Sequence, residues 1–224
     1  MEVNNPKYKN QGIHVISAIF TVDKGITKVL LIERKNEPFK GLWALVGGSL
    51  YNDETVIEGM RREISEKTGI PSIHLETFNI FSRVDRSPVM RMIAVGYLGI
   101  VDSKAIDFIK ETSKTSNCDW FPIDAIDELA YDHNEILFDA INVLKSRIQK
   151  TDMLRNLYPE GFTIPEIQKT YEAILSKEYD RRNFRKKLLA LGIIYDTGNE
   201  KKFQGNKPAK VYQFKDKEDD KSVF

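Results

Sequence analysis

The chain has 224 residues, of which 41% are hydrophobic and 10% aromatic, so it can bury a core and is not typical of a disordered protein. Its apolar runs are far shorter than the roughly 20 residues that cross a bilayer. Because the first residues also lack the pattern of a secretory signal, we expect a cytoplasmic protein with no membrane partner. A single cysteine, Cys118, excludes an internal disulfide and a cysteine-built zinc site.

The net charge of +1 is an average over three unlike segments. Residues 1–150 carry 19 Lys and Arg against 21 Asp and Glu, residues 151–215 carry 13 against 8, and residues 216–224 carry 2 against 4. The three net charges are therefore −2, +5 and −2. A basic segment is suited to a polyanionic partner. We predict one domain over 1–150, a second over 151–215, and a disordered tail over 216–224.

The first domain shows strand patterns with two helices among them. Two β-branched runs, 12–22 and 27–32, flank a turn and predict a hairpin, and a short apolar run follows at 43–50. The hydrophobic period then changes to three or four residues over 54–68, which predicts an amphipathic helix. Further strands are predicted over 74–84, 90–101 and 118–123. Asp132 and Glu135 form a capping-box pattern, so Asp132 and His133 are interpreted as the start of a helix that runs to about residue 148. The whole predicts an α+β fold.

The second domain begins with another capping-box pattern, at Thr163 and Glu166. Apolar residues at helical spacing follow, and after a short turn Asp180 can cap a second helix that ends before Gly192. Strands are predicted over 193–196 and 210–214, with a polar, lysine-containing loop between them. Two helices followed by a hairpin are the order of a winged helix-turn-helix.

The segment from Gly48 to Ile70 carries the strongest chemical pattern. Gly48 is followed after five residues by Glu54, and seven residues later the run 62–70 reads Arg-Glu-Ile-Ser-Glu-Lys-Thr-Gly-Ile. This pattern resembles the Nudix box and departs from it at one specified position, because Lys67 stands where the family has its last glutamate. The resemblance covers roughly the first two thirds of the chain and implies a Nudix-type mixed-sheet sandwich.

The box has a physical reason in metal-assisted pyrophosphate cleavage. Bound Mg²⁺ screens the phosphates and activates water, and it prefers oxygen ligands. Glu63, Glu66 and Lys67 share one helix face. The resemblance therefore implies that Glu63 and Glu66 bind Mg²⁺ and act in catalysis if hydrolysis survives. Lys67 favours impaired or absent hydrolysis, since it can instead form an ion pair with Glu63 worth about 0.3–0.5 kcal/mol. The alternative to a metal site is a retained scaffold whose carboxylates make solvated pairs with Arg62 and Lys67.

Three arginines surround a predicted turn between two strands. Arginine is suited to bidentate recognition of phosphate or carboxylate. We predict a ligand site near Arg86 and Arg91, with Gly48 and Glu54 contributed by the start of the box. A solvated hairpin explains Arg86 equally well and is favoured for Arg83.

The second helix of the basic domain is strongly cationic. Its inward positions are predicted to be Phe184, Leu188 and Leu191, which leaves the basic residues facing outward. An outward basic helix in this place can enter the major groove, where Arg pairs with guanine and Asn with adenine. The residues predicted to contact DNA are Arg181, Arg182, Asn183, Arg185 and Lys186 on the helix, and Lys201, Lys202 and Lys207 on the wing. A solvated charged face is the alternative.

The combination of the two domains resembles the Nudix-related transcriptional regulators, bacterial regulators of NAD metabolism and sugar catabolism. The match includes residues 131–135 and 162–191. The resemblance implies a sensor of ADP-ribose or a sugar such as a pentose, and a homodimer that binds double-stranded operator DNA without a cofactor. The competing hypothesis is a Mg²⁺-dependent hydrolase of ADP-ribose or a related nucleoside diphosphate derivative, whose basic domain serves dimerisation. An RNA-binding or structural role is a third.

Overall fold

The computed structural model describes residues 9–149, 153–202 and 207–215. The larger part is built on a seven-stranded sheet, whose strands are β1 (Gln11–Asp23), β2 (Ile26–Arg34), β3 (Trp43–Ala44), β4 (Val46–Ser49), β5 (Glu76–Phe81), β6 (Arg91–Ile100) and β7 (Thr115–Pro122). The main path runs β3-β2-β1-β6-β5, with β4 paired to β1 and β7 paired to β2. The β1–β6 pair is parallel and its neighbours are antiparallel, so the sheet is mixed as predicted.

The two faces of the sheet are covered by different elements. Along β1, Ile16 and Phe20 belong to the cluster that includes helix α2 (His133–Arg147), whereas Val15 and Ile19 belong to the cluster that includes helix α1 (Val56–Thr68). Successive side chains of a strand point to opposite faces, so one strand serves both layers. Both faces are apolar, and the result is the expected sandwich of helices around a sheet.

The second part has the predicted order of a winged helix. A short 3-10 turn (Met153–Leu157) leads into β8 (Phe162–Thr163), α3 (Ile164–Leu175), α4 (Arg181–Ala190), β9 (Ile194–Lys201) and β10 (Ala209–Phe214). The capping boxes and caps predicted for α3 and α4 are present: Glu166 N–H donates to Thr163 Oγ1, and Asn183 N–H donates to Asp180 Oδ1. Strand β8 has no sequence prediction; it pairs with β10 and completes a three-stranded sheet.

The two parts share one apolar cluster. Phe20 and Leu137 of the first part and Phe162 and Ile167 of the second lie in it. The Tyr171 hydroxyl also donates a hydrogen bond of 2.8 Å to the Ile148 carbonyl. The winged helix is therefore packed against the sheet domain. None of the helices in the described part of the chain is long and apolar enough to cross a membrane.

Two local predictions are wrong. The Asp132 carboxylate makes no capping bond, because it accepts two bonds from Arg86 instead. The apolar run 43–50 forms the two short strands β3 and β4, and between them the Leu45 amide donates to His133 Nδ1. Leu191 does not face inward: it is 60% exposed, because α4 ends at Ala190. The predicted tail, 216–224, lies outside the described residues.

Candidate functional site

The box helix begins later than the hydrophobic period indicates. Thr55 caps it, and a capping box joins Thr55 to Glu58, so Glu54 lies just before the helix. Two turns on, Glu63 is buried against strand β4. A Cβ on Gly48 would lie 2.1 Å from the Glu63 carboxyl carbon, so any larger residue there would have to displace this carboxylate. The structure thus places Gly48 beside a box carboxylate.

Arg62 is the centre of a cluster of charges around the box. Its guanidinium lies 2.5 Å from Glu54, 2.5 Å from Glu63 and 3.4 Å from Glu66, and it stacks 3.8 Å from the centre of the Tyr51 ring. The hydrogen bond from Arg62 is the main reason that the pKa of Glu54 falls to about 2. Glu54 is therefore held in an ion pair.

Two lysines complete this cluster. Lys67 Nζ lies 3.0 Å from Glu63 Oε2 and also donates to the Gly47 carbonyl. Lys114, from the segment before β7, places its Nζ 2.5 Å from Glu66 Oε2 and 3.7 Å from Glu63 Oε1. Sequence reasoning missed Lys114, because it lies 48 residues from Glu66 and only the fold brings them together. The ion pairs of Glu63 with Arg62 and Lys67 are not solvated as the sequence alternative predicts, because Glu63 is only 3% exposed.

Burial and neighbouring charge act on these lysines in opposite directions. Burial lowers the pKa of Lys67, and Glu63 offsets part of that effect. Burial opposes the charge on Lys114 as well, but the hydrogen bond to Glu66 and the charge of Glu63 outweigh it, so its pKa is raised. Three carboxylates and three cations thus form a network without surplus negative charge. The described residues contain no group of three or more His, Cys, Asp or Glu arranged to hold a metal ion. This donor set does not fit Mg²⁺, which needs carboxylate oxygens that are not already paired.

A second cluster joins the turn at 82–90 to the start of α2. The Arg86 guanidinium donates two bonds of 2.9 Å to the Asp132 carboxylate, and both side chains are only 4% exposed. Arg86 is neither a solvated residue nor an unpaired one. Arg83 pairs with Glu135 at 2.7 Å on the surface, as a solvated hairpin predicts.

A cavity of about 180 Å³ opens beside this ion pair. Its walls combine a guanidinium, two imidazoles, a phenol, hydroxyls and apolar side chains: Arg86, His14, His133, Tyr131, Ser49, Ser87, Val89, Met90 and Met92. Polar groups that converge on a cavity with part of its wall apolar can bind and orient a small molecule. Of the predicted ligand residues, Arg86 lines this cavity, whereas Gly48 and Glu54 belong to the box cluster. Arg91 donates to the carbonyls of Arg83 and Met92.

The two imidazoles of the cavity are held neutral. Burial, together with the smaller effects of the charges of Lys67, Arg86 and Arg34, lowers the pKa of His14 to about 3. The pKa of His133 lies well below its usual value, mainly because the imidazole is buried. His14 and the same three cations lower it as well. His14 Nδ1 is buried and has no hydrogen-bond partner among the described residues. The cavity therefore contains an imidazole nitrogen that a ligand can engage, beside an arginine whose charge is balanced by Asp132.

Sequence reasoning missed His14 and underestimated His133. The signal available was the run Tyr131-Asp132-His133, which indicates a helix start and belongs to the family match but by itself predicts no ligand contact. In the structure Tyr131 has a left-handed backbone (φ 57°) and its ring contacts that of Phe39 at 4.6 Å. The run positions side chains for the cavity.

A second cavity, of about 490 Å³, lies between the two parts of the chain. It is lined by the β1–β2 turn, residues 102–105, residues 157–161 and the side chains Glu166, Lys169, Thr170 and Lys201. Charges of both signs alternate around it. This arrangement favours neither an anionic nor a cationic ligand.

The outward face of α4 is cationic, as predicted. Phe184 contacts Tyr171 and Tyr179, and Leu188 is 3% exposed, so these two residues anchor the helix. The polar residues predicted to contact DNA, Arg181, Arg182, Asn183, Arg185 and Lys186, are all exposed, as is Lys187. The four arginine and lysine residues in this list and Lys187 are five cations, and no ion pair joins any of them to another described residue.

The wing presents its lysines differently. Lys201 is paired with Glu166 at 3.1 Å and donates to the Gly161 carbonyl, so its charge is partly used within the domain. Lys202 and Lys207 are exposed on either side of residues 203–206, which lie outside the described residues. Lys210, which sequence reasoning left out, is paired with Asp196 at 2.7 Å.

Two family models match this chain. The NUDIX domain model matches residues 12–140, and the model of the NrtR DNA-binding winged helix domain matches residues 154–214. The chain is 32% identical over 211 residues to the ADPR responsive transcriptional repressor NtrR of Acinetobacter baylyi, which covers 92% of this chain and 83% of that protein.

Two solved structures extend the comparison. Shewanella oneidensis NrtR complexed with a 27mer DNA has a TM-score of 0.74 and 25% identity, over 91% of this chain and 93% of that one. The NUDIX domain of Shewanella oneidensis NrtR complexed with ADP ribose has a TM-score of 0.58 and 26% identity, over 64% of this chain and 94% of that one.

Proposed function

The chain belongs to the Nudix family and carries an NrtR-type DNA-binding winged helix, and from this premise we propose that it is a transcriptional repressor that binds operator DNA as a homodimer and responds to ADP-ribose. Residues 1–150 form the sensor and residues 151–215 the DNA-binding domain. The sugar effector that the sequence left open has no support beyond the resemblance, so ADP-ribose is the effector proposed.

The observation that carries the proposal is the unpaired cationic face of α4. Five cations lie within seven residues, all are exposed, and none has a carboxylate partner in the described part of the chain. Their mutual repulsion is unfavourable in the free protein and is relieved by phosphates, whose binding also releases counterions. In a winged helix-turn-helix this second helix reads the major groove. We assign Arg181, Arg182 and Asn183 to base contacts, and Arg185, Lys186, Lys202 and Lys207 to phosphates, with Lys201 contributing through its partly paired charge.

DNA binding is tested by fluorescence anisotropy with a palindromic operator duplex from the chain's own genomic neighbourhood. Charge reversal at Arg182 or Arg185 is expected to weaken binding by about 1–3 kcal/mol, and Lys186→Ala to lower the salt slope by about one. Lys40→Glu is the matched control, because Lys40 is equally exposed but lies in the sensor domain. If both reversals at α4 bind like Lys40→Glu, the assignment of this helix is wrong. Equal affinity for palindromic and random duplexes would instead point to a non-specific nucleic-acid-binding role.

The sensor site is assigned to the cavity beside Arg86. Arg86 lines the cavity, and because its bonds to Asp132 use Nε and Nη2, its Nη1 can donate to a phosphate, while the neutral imidazoles can hydrogen-bond to ribose hydroxyls or base nitrogens. Such a ligand shifts the protein between DNA-binding and non-binding arrangements only if it binds one of them better. Arg91 and Glu54 act on this site by holding the surrounding turn and the box cluster in place.

Titration calorimetry with ADP-ribose tests the assignment. Ser49→Trp, which fills the cavity beside Arg86, is expected to abolish ADP-ribose binding while operator binding persists. Ser103→Trp, which projects into the cavity between the domains, is the matched control and is expected to bind ADP-ribose normally. The reverse pattern would move the sensor site to the cavity between the domains. Free ribose is the control ligand, and a response of operator binding to ribose but not to ADP-ribose would overturn the choice of effector.

Hydrolysis is not part of the proposed function. The carboxylates of the box are paired with Arg62, Lys67 and Lys114, which leaves no oxygen set for the Mg²⁺ that Nudix hydrolysis uses. We therefore propose that DNA binding needs no cofactor and that ADP-ribose is bound intact. Mg²⁺-dependent release of AMP and ribose phosphate from ADP-ribose, lost in Glu66→Gln, would restore the competing hypothesis of a hydrolase.

A further inference from the structure

The box cluster contains one more cation than the sequence pattern shows. Lys67 stands within the box itself, but Lys114 reaches it from the loop before β7 and contacts Glu66 at 2.5 Å and Glu63 at 3.7 Å. Lys114 also has a fixed position, because Thr115 Oγ1 donates to the Lys67 carbonyl and anchors that loop to the end of the box helix. The two ammonium groups share one carboxylate: Lys67 lies 3.0 Å from Glu63 Oε2 and Lys114 lies 3.7 Å from Glu63 Oε1.

We propose that Lys67 and Lys114 together take the electrostatic place of a divalent cation, so that this Nudix domain binds its ligand independently of divalent metal, and that either lysine alone is enough to keep the metal out. This deepens the proposed function, since it concerns the same sensor domain. A carboxylate pair in contact with an ammonium must lose that ion pair before it can bind a metal. Glu63 touches both lysines, so removing one leaves the other in place.

The geometry also explains why the charge is fixed and not mobile. Lys67 is only 13% exposed in its side chain, and its Nζ lies between the Glu63 carboxylate and the Gly47 carbonyl. Glu63 itself is confined by the close approach of Gly48. A buried carboxylate cannot be left without a counter-charge except at high cost. The lysines therefore stabilise the helix in the absence of any added ion.

Divalent metal binding is tested directly with Mn²⁺ alone, by electron paramagnetic resonance of the full chain. The wild type and the single variants Lys67→Glu and Lys114→Ser are expected to leave Mn²⁺ free, whereas the double variant Lys67→Glu/Lys114→Ser is expected to bind it. Lys110→Ser in the Lys67→Glu background is the matched control, because Lys110 lies in the same loop but faces Asp119 at 3.9 Å on the surface. Binding by the double variant should disappear when Glu66→Gln is added.

Each other outcome overturns part of the inference. Mn²⁺ binding by Lys67→Glu alone, equal to that of the double variant, would show that Lys114 plays no part. A folded double variant that leaves Mn²⁺ free would show that the lysines do not exclude the metal. If the double variant does not fold, the wild type still tests metal independence. Its affinity for ADP-ribose should change less than twofold between EDTA and millimolar Mg²⁺. A loss of affinity of tenfold or more in EDTA refutes metal independence. Failure of ADP-ribose to bind at all would refute the proposed effector but leave the Mn²⁺ results standing.

Discussion

The ion pair between Arg86 and Asp132 allows a test of how burial sets the contribution of an ion pair to the free energy of unfolding. A second pair, Arg83 with Glu135, joins the same turn to the same helix start, with bonds of 2.7 and 2.9 Å to the two carboxylate oxygens. In both pairs a guanidinium reaches both oxygens of one carboxylate, through Nε and Nη2 in Arg86 and through Nη1 alone in Arg83. The pairs differ most in exposure: the side chains of the first pair are each 4% exposed, and those of the second are 51% and 65% exposed.

Asp132→Asn is expected to destabilise the protein by about 3–5 kcal/mol, because it leaves the buried Arg86 guanidinium without a counter-charge. Glu135→Gln removes a pair that water already screens, and should cost about 0.2–1 kcal/mol. The double variant Arg86→Met/Asp132→Asn should recover part of the loss, since no unpaired buried charge remains.

Urea unfolding followed by tryptophan fluorescence measures all three variants. Both tryptophans, Trp43 and Trp120, lie in the sensor domain that contains the two pairs. If Asp132→Asn and Glu135→Gln lower the free energy of unfolding by amounts within about 0.5 kcal/mol of each other, burial does not determine the value of the pair. A double variant less stable than Asp132→Asn would also contradict the argument.

Three further predictions concern stability. Burial and the nearby cations lower the pKa of His14 to about 3, so the folded state holds the imidazole neutral. This contribution to stability is full above the unfolded pKa of 6.5 and is lost as the pH falls towards 3. Between pH 7.5 and 5.5 the free energy of unfolding of the wild type should therefore fall by about 1.4 kcal/mol more than that of His14→Gln, as measured by urea titration. Equal losses in the two proteins would refute this prediction. Leu188→Ala should cost about 2–5 kcal/mol and Leu191→Ala less than about 0.5 kcal/mol by calorimetry, and equal costs would contradict the observed exposure. Gly48→Ala should lower the thermal midpoint by an amount equivalent to about 1–3 kcal/mol, because its Cβ meets Glu63, and an unchanged midpoint would show that the helix yields without cost.

The local patterns of the chain were sufficient for most elements of the fold. The change of hydrophobic period placed α1 within two residues, and the caps Thr163 and Asp180 located α3 and α4. These signals are local: a cap bonds to a backbone amide three residues away, and a helical stripe repeats within one turn. The outward cations of α4 followed from the same spacing.

Apart from the end of α4, the failures involve partners that are distant in the chain. Asp132 has the sequence of a helix cap, but Arg86, 46 residues away, takes its carboxylate. His14 appeared as a polar residue in a strand, and only the parallel pairing of β1 with β6 and the position of α2 bring it beside His133. No spacing rule in one sequence could supply these contacts.

The sequence by itself determined two domains of different charge, a box with one altered carboxylate, and a basic helix in a winged order, because periodicity, capping and charge are properties of neighbouring residues. Only the tertiary structure decided which charged groups surround the altered box. It brought Lys114 to Glu63 and Glu66, buried Arg86 against Asp132, and left a cavity beside two neutral imidazoles. The reason is physical: the energy of a charge depends on its burial and on its neighbours in space, and a linear sequence specifies neither.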